Sequence, residues 1–420
     1  MVDDDRRCSC DMYQCLRFAA LLCLPVLLAA CATGGTSCAA CASASVKYQC
    51  DAAVLDSHDA VNMLFLSGGG SLGAYGAGVI NGWTKAVNAH KRPLFDVVTG
   101  VSTGALQATH VFLAGAAHDD MLYDLYTQHE NLMPPRPFWE LLTASSINST
   151  KPLRAIIDKT VPDSTIDAVG ALHGQRVLCV GTVNLDTGRF VAWDMTAIAA
   201  DTTDATRYDR YRNVLLASAS VPVASSPVKI DGAPHADGGV RSQIFAVNLI
   251  KQVRKRTKSA AGNDHAYFIV NHKLSVDAQC TVPTLGGIAE RTVRLVINQG
   301  LISALDEADR LVHEAGCGTD PATHYLAIPE EYPLKITDAD FIKDEMCRLY
   351  CRGKHDGLNG LWQDAPPHGS ATPQCGSAPY LTGDLLADST CPPLATGSDV
   401  CPTSYPAQTI VTMDHCDPVF

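Results

Sequence analysis

The chain has 420 residues, enough for one large domain or two ordinary ones. Hydrophobic residues make up 46% and charged residues 18%, which suits a sizeable core and excludes a largely disordered chain. A formal net charge of −12 argues against nucleic acid as a partner and against purely electrostatic docking on anionic lipid.

The first element in chain order is an address. An uncharged apolar run from Phe18 to Ala30 follows Arg17. It is too short for the roughly 20 apolar residues of a membrane-spanning helix, but fits the apolar region of an export signal. It ends Leu28-Ala29-Ala30-Cys31, which resembles the lipobox of bacterial lipoproteins. That resemblance implies cleavage before Cys31 and acylation of its sulfur and new amine. Ala32 in the next position points to the outer membrane of a Gram-negative cell. The preceding MVDDDRRCSCD is acidic for a signal, so translation is expected to start at Met12. Residues 1–30 are thus read as signal peptide and 31–58 as a small, polar tether.

From about Val61 to Leu326, strand-like and helix-like segments alternate, the pattern of an α/β sheet with helices on its faces. Strands are expected at 61–67, 94–99, 176–185, 190–194, 228–230 and 266–271, and helices at 71–90, 104–114, 152–161, 207–218 and 291–315. The last helix places Leu295, Ile302, Leu305, Ala308 and Val312 near a 3.6-residue period. The main domain is therefore drawn over 59–334. Residues 335–420, rich in Pro, Gly and Cys, read as a bridged, loop-rich appendage. Its Cys347-x-x-x-Cys351 and His355 suit disulfide chemistry better than zinc in an exported chain. Removing Cys8, Cys10, Cys15 and Cys23 with the signal and lipidating Cys31 leaves an even number of cysteines. Cys179, in the apolar stretch RVLCVGTV, reads as a buried free thiol.

Three motifs carry the chemistry. The first is a strand running into Gly68-Gly69-Gly70 and then a helix, which bares backbone N–H groups at a helix start, where an anion is favoured. Gly68, Gly70 and Gly73 also satisfy a dinucleotide fingerprint, but the acid that fingerprint needs at the second strand's tip is missing. That tip instead carries the second motif, Gly100-Val101-Ser102-Thr103-Gly104. This is G-x-S-x-G in a strand–turn–helix setting, which exposes a serine hydroxyl on a sharp turn. An activated serine needs a base. Only about forty residues separate the first strand from Ser102, too few for the α/β-hydrolase order. The third motif, Asp237-Gly238-Gly239, supplies the remaining candidate. His235, two positions earlier on the same strand face, is the competing base.

GGG-x-x-G, G-x-S-x-G and D-G-G in this order resemble the patatin-like phospholipases, over roughly residues 61–326. The resemblance implies a three-layer α/β/α fold with a central, mostly parallel sheet. It implies Ser102 as nucleophile, Asp237 as proton acceptor, Gly68, Gly69 and Gly70 as the oxyanion hole, and Gly100 and Gly104 as the elbow glycines. The implied activity is hydrolysis of ester-linked fatty acyl chains by two-step acyl transfer, without cofactor or metal, on a membrane lipid or other acyl ester. Leu72 departs from the family, which commonly carries Arg or Lys before the fourth glycine; this bears on phospholipid preference. An aspartate, with an ordinary pKa of about 3.9, is a weak base for a serine, so the oxyanion donors carry much of the expected catalysis. The rival reading is a catalytically silent envelope lipoprotein that binds lipid or a protein partner. Asp96, His110, Asp231, Tyr75 and Trp83 are read as structural.

Overall fold

The computed structural model describes residues 47–52, 55, 61–87, 91–129, 149–222, 224–256, 264–276, 285–313, 322–337 and 339–366. The export signal, Cys31 and most of the appendage lie outside these residues.

The strands are β1 (Asn62–Leu66), β2 (Val97–Val101), β3 (Val177–Asn184), β4 (Arg189–Asp194), β5 (Val228–Ile230), β6 (Ala233–Asp237), β7 (His265–Val270) and β8 (Ala322–Ala327). The helices are α1 (Gly73–Lys85), α2 (Thr103–Leu113), α3 (Ala116–Thr127), α4 (Lys151–Thr160), α5 (Asp163–Gly170), α6 (Met195–Ala200), α7 (Arg207–Ser218), α8 (Val247–Arg256), α9 (Leu285–His313) and α10 (Lys343–Leu358). All eight strands join one sheet, hydrogen-bonded as β5-β6-β3-β2-β1-β7-β8 with β4 also on β3. The pairs β1–β2, β1–β7, β2–β3 and β7–β8 are parallel. The expected mixed α/β architecture with a mostly parallel central sheet is present.

Central strands read as continuous apolar runs because both sheet faces are covered. Leu64, Leu66, Leu178 and Val180 pack with α1, α2 and α7, whereas Met63, Phe65, Val177 and Cys179 pack with α8 and α9. In α4, Leu153, Ile156, Ile157 and Thr160 are buried, one stripe of an amphipathic helix with Pro152 in its first turn.

Register gives the sheet an unusual feature. Val180 pairs with Gly100 of β2 on one side and Trp193 of β4 on the other. Thr182 pairs with Asp237 of β6 and Val191 of β4. Since β4 fills one edge of β3, β2 and β6 must share the opposite edge, end to end. Val101 stands against Gly181, and Asp237 against the next residue, Thr182.

Four expectations are corrected. Cys179 is bonded to Cys50, with Cα atoms 5.8 Å apart. Cys50 reaches it because the backbone of residues 48–50 pairs along β4, so the expected tether is already packed structure here. In α9, Leu295 is exposed, and Leu301, Leu305 and Ala308 form the buried stripe.

The fourth correction concerns the boundary at 334, since α10 is a packed helix. A Cβ at Gly78 or Gly82 would lie 2.0 Å from the Tyr350 or Lys354 carbonyl oxygen. One at Gly353 or Gly357 would lie 2.0 or 2.1 Å from that of Tyr75 or Val79. The two helices touch backbone to backbone, so small residues are obligatory on both. Tyr75 Oη donates to Asp356 Oδ2 and Asn81 Nδ2 to Tyr350 Oη across the same seam. Cys351 on α10 is disulfide-bonded. Among the described residues no His, Cys, Asp and Glu cluster could hold a metal ion, and no helix is long and apolar enough to cross a membrane.

Candidate active site

The elbow is forced by close contacts. A Cβ on Gly100 would sit 2.3 Å from the Gly104 carbonyl oxygen, and one on Gly104 2.5 Å from that of Leu66. With both glycines, β2 can turn straight into α2 beside β1. Ser102 takes the strain of that turn, with φ 54° and ψ −122°. A non-glycine residue in such a conformation persists only when its surroundings hold it. The holding group is Ser218, whose Oγ accepts from the Ser102 N–H at 3.0 Å and donates to the Gly181 carbonyl at 2.7 Å.

The glycine loop lies against this turn. Gly69 has φ 151°, and a Cβ there would meet the Asn271 carbonyl oxygen at 2.4 Å. Asn271 pins the loop further: its N–H donates to Ser67 Oγ, its Nδ2 to the Ser67 carbonyl, and its Oδ1 accepts from the Gly76 N–H. The Gly68 N–H donates to the Gln243 carbonyl at 3.0 Å. Gly68 is thereby removed from the expected trio of oxyanion donors. The Gly69 and Gly70 N–H groups make no hydrogen bond among the described residues. Gly68 serves by lacking a side chain: its Cβ position lies 2.2 Å from Gln243 Oε1 and 3.4 Å from Ser102 Cβ.

Asp237 ends β6 beside the elbow. Its N–H donates to the Ser220 carbonyl at 2.9 Å, and its Oδ1 accepts from the Gly239 N–H at 2.7 Å. A Cβ on Gly238 would strike the Gly181 carbonyl oxygen at 2.6 Å and come within 3.1 Å of Val101 Cγ1. The D-G-G motif is thus the sequence that lets β6 end against β2. Ser102 and Asp237 are both buried, at 8% and 3% exposure, so a charge on either meets little solvent screening.

His235 faces another network. Trp193 Nε1 donates to Thr182 Oγ1 at 2.8 Å, and the same hydroxyl is hydrogen-bonded to His235 Nδ1 at 3.0 Å. Burial lowers its pKa to about 4. Asp96 accepts from the Asn62 N–H, behind the elbow, and Asp231 lies in the β5–β6 turn, paired with Arg210. His110, Tyr75 and Trp83 are buried.

Two residues were missed by sequence reasoning. Ser218 precedes the third motif and had no distinguishing pattern. Gln243 spans the glycine loop and the D-G-G turn. Its Oε1 is buried with no hydrogen-bond partner among the described residues, and its Nε2 lies 3.5 Å from the Gly239 carbonyl oxygen.

Glycine loop, strained serine and D-G-G turn meet within one matched segment. Residues 64–250 match the family model of the patatin-like phospholipases. The family is one of lipid acyl hydrolases, and the match holds all three motifs. Among solved structures, VipD from Legionella pneumophila is 13% identical with a TM-score of 0.30, covering 76% of this chain and 72% of that one. No curated protein matches the chain.

Proposed function

We propose that the patatin-like domain is a serine acyl hydrolase that cleaves ester-linked fatty acyl chains through Ser102 and Asp237. The observation that carries this reading is the end-to-end meeting of β2 and β6 on β3, where Val101, the residue before Ser102, pairs one register step from Asp237. In the first step Asp237 takes the Ser102 hydroxyl proton as Oγ bonds to the ester carbonyl carbon. The Gly69 and Gly70 N–H groups receive the oxyanion, a contribution of roughly 10²–10³-fold per donor. The carbonyl re-forms, the ester C–O bond breaks and the leaving alcohol takes the proton from Asp237. Water then attacks the acyl-enzyme, giving its proton to Asp237. The fatty acid departs and Ser102 Oγ is reprotonated.

Lipidation at Cys31 is part of the proposal. Acyl chains, each methylene contributing about 0.8 kcal/mol, would hold the enzyme at the outer membrane beside lipid substrates. Cys31→Ser is expected to move the protein from the membrane to the soluble fraction; unchanged membrane recovery would end that part. The hydrolase itself is tested by a fluorophosphonate probe on wild type and Ser102→Ala. Labelling confined to wild type is expected, and an unlabelled wild type would favour a silent lipid-binding protein.

A further inference from the structure

Gln243 follows the D-G-G turn and is held from both sides. The Arg241 and Ser242 N–H groups both donate to the Gly238 carbonyl, at 3.0 and 2.9 Å, which curls the chain so that Gln243 comes back over Gly239. Beyond it, Ile244 and Ala246 enter the core with Leu249 and Ile250 of α8. Gln243 itself is 7% exposed.

The residue touches two motifs at once. Its carbonyl accepts from the Gly68 N–H at 3.0 Å. Its carboxamide fills the space that two motif glycines leave open. The Cβ position of Gly68 lies 2.2 Å from Oε1 and 3.4 Å from Ser102 Cβ, and that of Gly239 lies 2.7 Å from Nε2 and 3.0 Å from Asp237 Oδ1. Chemistry fixes which way the amide points. Nε2 faces the Gly239 carbonyl oxygen at 3.5 Å, and exchanging the two amide atoms would set two acceptors against each other. Oε1 is thereby left at Gly68, buried and with no hydrogen-bond partner among the described residues. A buried acceptor without a partner costs stability. Methionine would fill a similar volume without that cost, but as a flexible chain. The planar amide, steadied at Nε2, is a spacer of fixed length, and folding alone does not account for it.

We propose that Gln243 is a positioning residue for acyl transfer, whose carboxamide sets the separation between the Gly69 and Gly70 N–H groups and the Asp237 carboxylate. The inference rests on the hydrolase reading above. Gln243 acts through two backbones. On one side stands Gly68, which precedes the first donor. On the other stands Gly239, whose N–H holds Asp237 Oδ1 at 2.7 Å. A weak aspartate base leaves much of the rate to the donors, and misplacing a reacting group by about 1 Å can cost about 10²-fold.

The test compares full-length wild type, Gln243→Met, Gly68→Ala and the double variant Gly68→Ala with Gln243→Asn. The substrates are a short-chain nitrophenyl ester and the matching thionoester. Sulfur is larger than oxygen and a weaker acceptor, so the ratio of the two rates reads the alignment of the oxyanion donors, which a mere loss of folded enzyme does not move. Gln243→Met is expected to lower kcat for the oxygen ester about tenfold or more, with KM held within about threefold. The oxygen-to-sulfur rate ratio should fall about threefold or more in the same variant. Gly68→Ala puts a methyl 2.2 Å from Oε1 and displaces the intact amide, so it should lower the ratio likewise. That variant carries the prediction if Gln243→Met does not fold. Shortening the displaced side chain in the double variant should restore kcat about threefold over Gly68→Ala alone, a coupling expected of groups in contact. An unchanged ratio in either folded single variant, or a double variant no faster than Gly68→Ala, would overturn the inference and leave the hydrolase reading intact. Wild type with neither ester turnover nor fluorophosphonate labelling would end both.

Discussion

The Ser102 backbone N–H donates to Ser218 Oγ at 3.0 Å, so a side chain at the end of α7 fixes the strained turn that carries the candidate nucleophile. Ser218→Ala would leave that buried N–H without a partner, at a cost of about 1–3 kcal/mol. Urea unfolding should show this loss, and kcat for a short-chain nitrophenyl ester should fall more than KM rises. Unchanged kinetics would mean the elbow holds its shape without Ser218.

Asp237 and His235 compete for the role of base, and their surroundings favour Asp237. His235 Nδ1 is engaged by Thr182, and burial holds the ring neutral with a pKa of about 4. Asp237→Asn is expected to lower kcat/KM by about 10²–10⁴-fold, the usual range for a lost proton acceptor. His235→Ala should cost less than tenfold; the reverse order would transfer the assignment.

The α1–α10 seam is expected to tolerate no added methyl. Gly353→Ala places a Cβ 2.0 Å from the Tyr75 carbonyl oxygen, and overpacking of this kind costs about 1–3 kcal/mol or more. Gly300→Ala in α9, with nothing within 4 Å of its Cβ position, should be neutral or stabilise by about 0.5–1 kcal/mol. Thermal unfolding of the two variants reads the contrast directly.

The Cys50–Cys179 bridge closes a sequence separation of 129 residues. Replacing both cysteines by alanine should remove about 2–4 kcal/mol of stability. The same loss should appear in wild type on full reduction, and an unaffected midpoint would show that the segment holds to β4 unaided.

Acid should weaken the fold before it protonates ordinary carboxylates. Burial lowers the pKa of His110 and of His235 to about 4, with His118 adding to the effect on His110. Unfolded, each ring titrates near 6.5, so the unfolded chain binds protons first as pH falls. Their contribution is complete above about pH 6.5 and declines by about 1.4 kcal/mol per pH unit per histidine until about pH 4. Urea midpoints at pH 7 and pH 5 should differ accordingly, and less so in His110→Gln.

The three motifs were legible because each answers a local demand. Gly100, Gly104, Gly69 and Gly238 stand where a Cβ would meet backbone, so their spacing carries geometry in itself. What could not be read is distant pairing. Cys179 looked like a free thiol because its partner lies far upstream and beyond β4. The helix α10 looked like a loop because its composition is rich in Gly, Cys and charge. Its stripe of Met346, Leu349, Tyr350 and Gly353 becomes apparent only against the glycines of α1. Gly68 was grouped with its neighbours as an oxyanion donor because nothing in the sequence announces that Gln243, so much later, takes its N–H.

The tandem arrangement of β2 and β6 leaves the two candidate catalytic residues without a hinge of their own. Val101, just before Ser102, and Asp237 are both paired with β3, so a sideways drift of that strand carries the two segments along together. A candidate pair mounted this way draws its durability from the middle of the sheet.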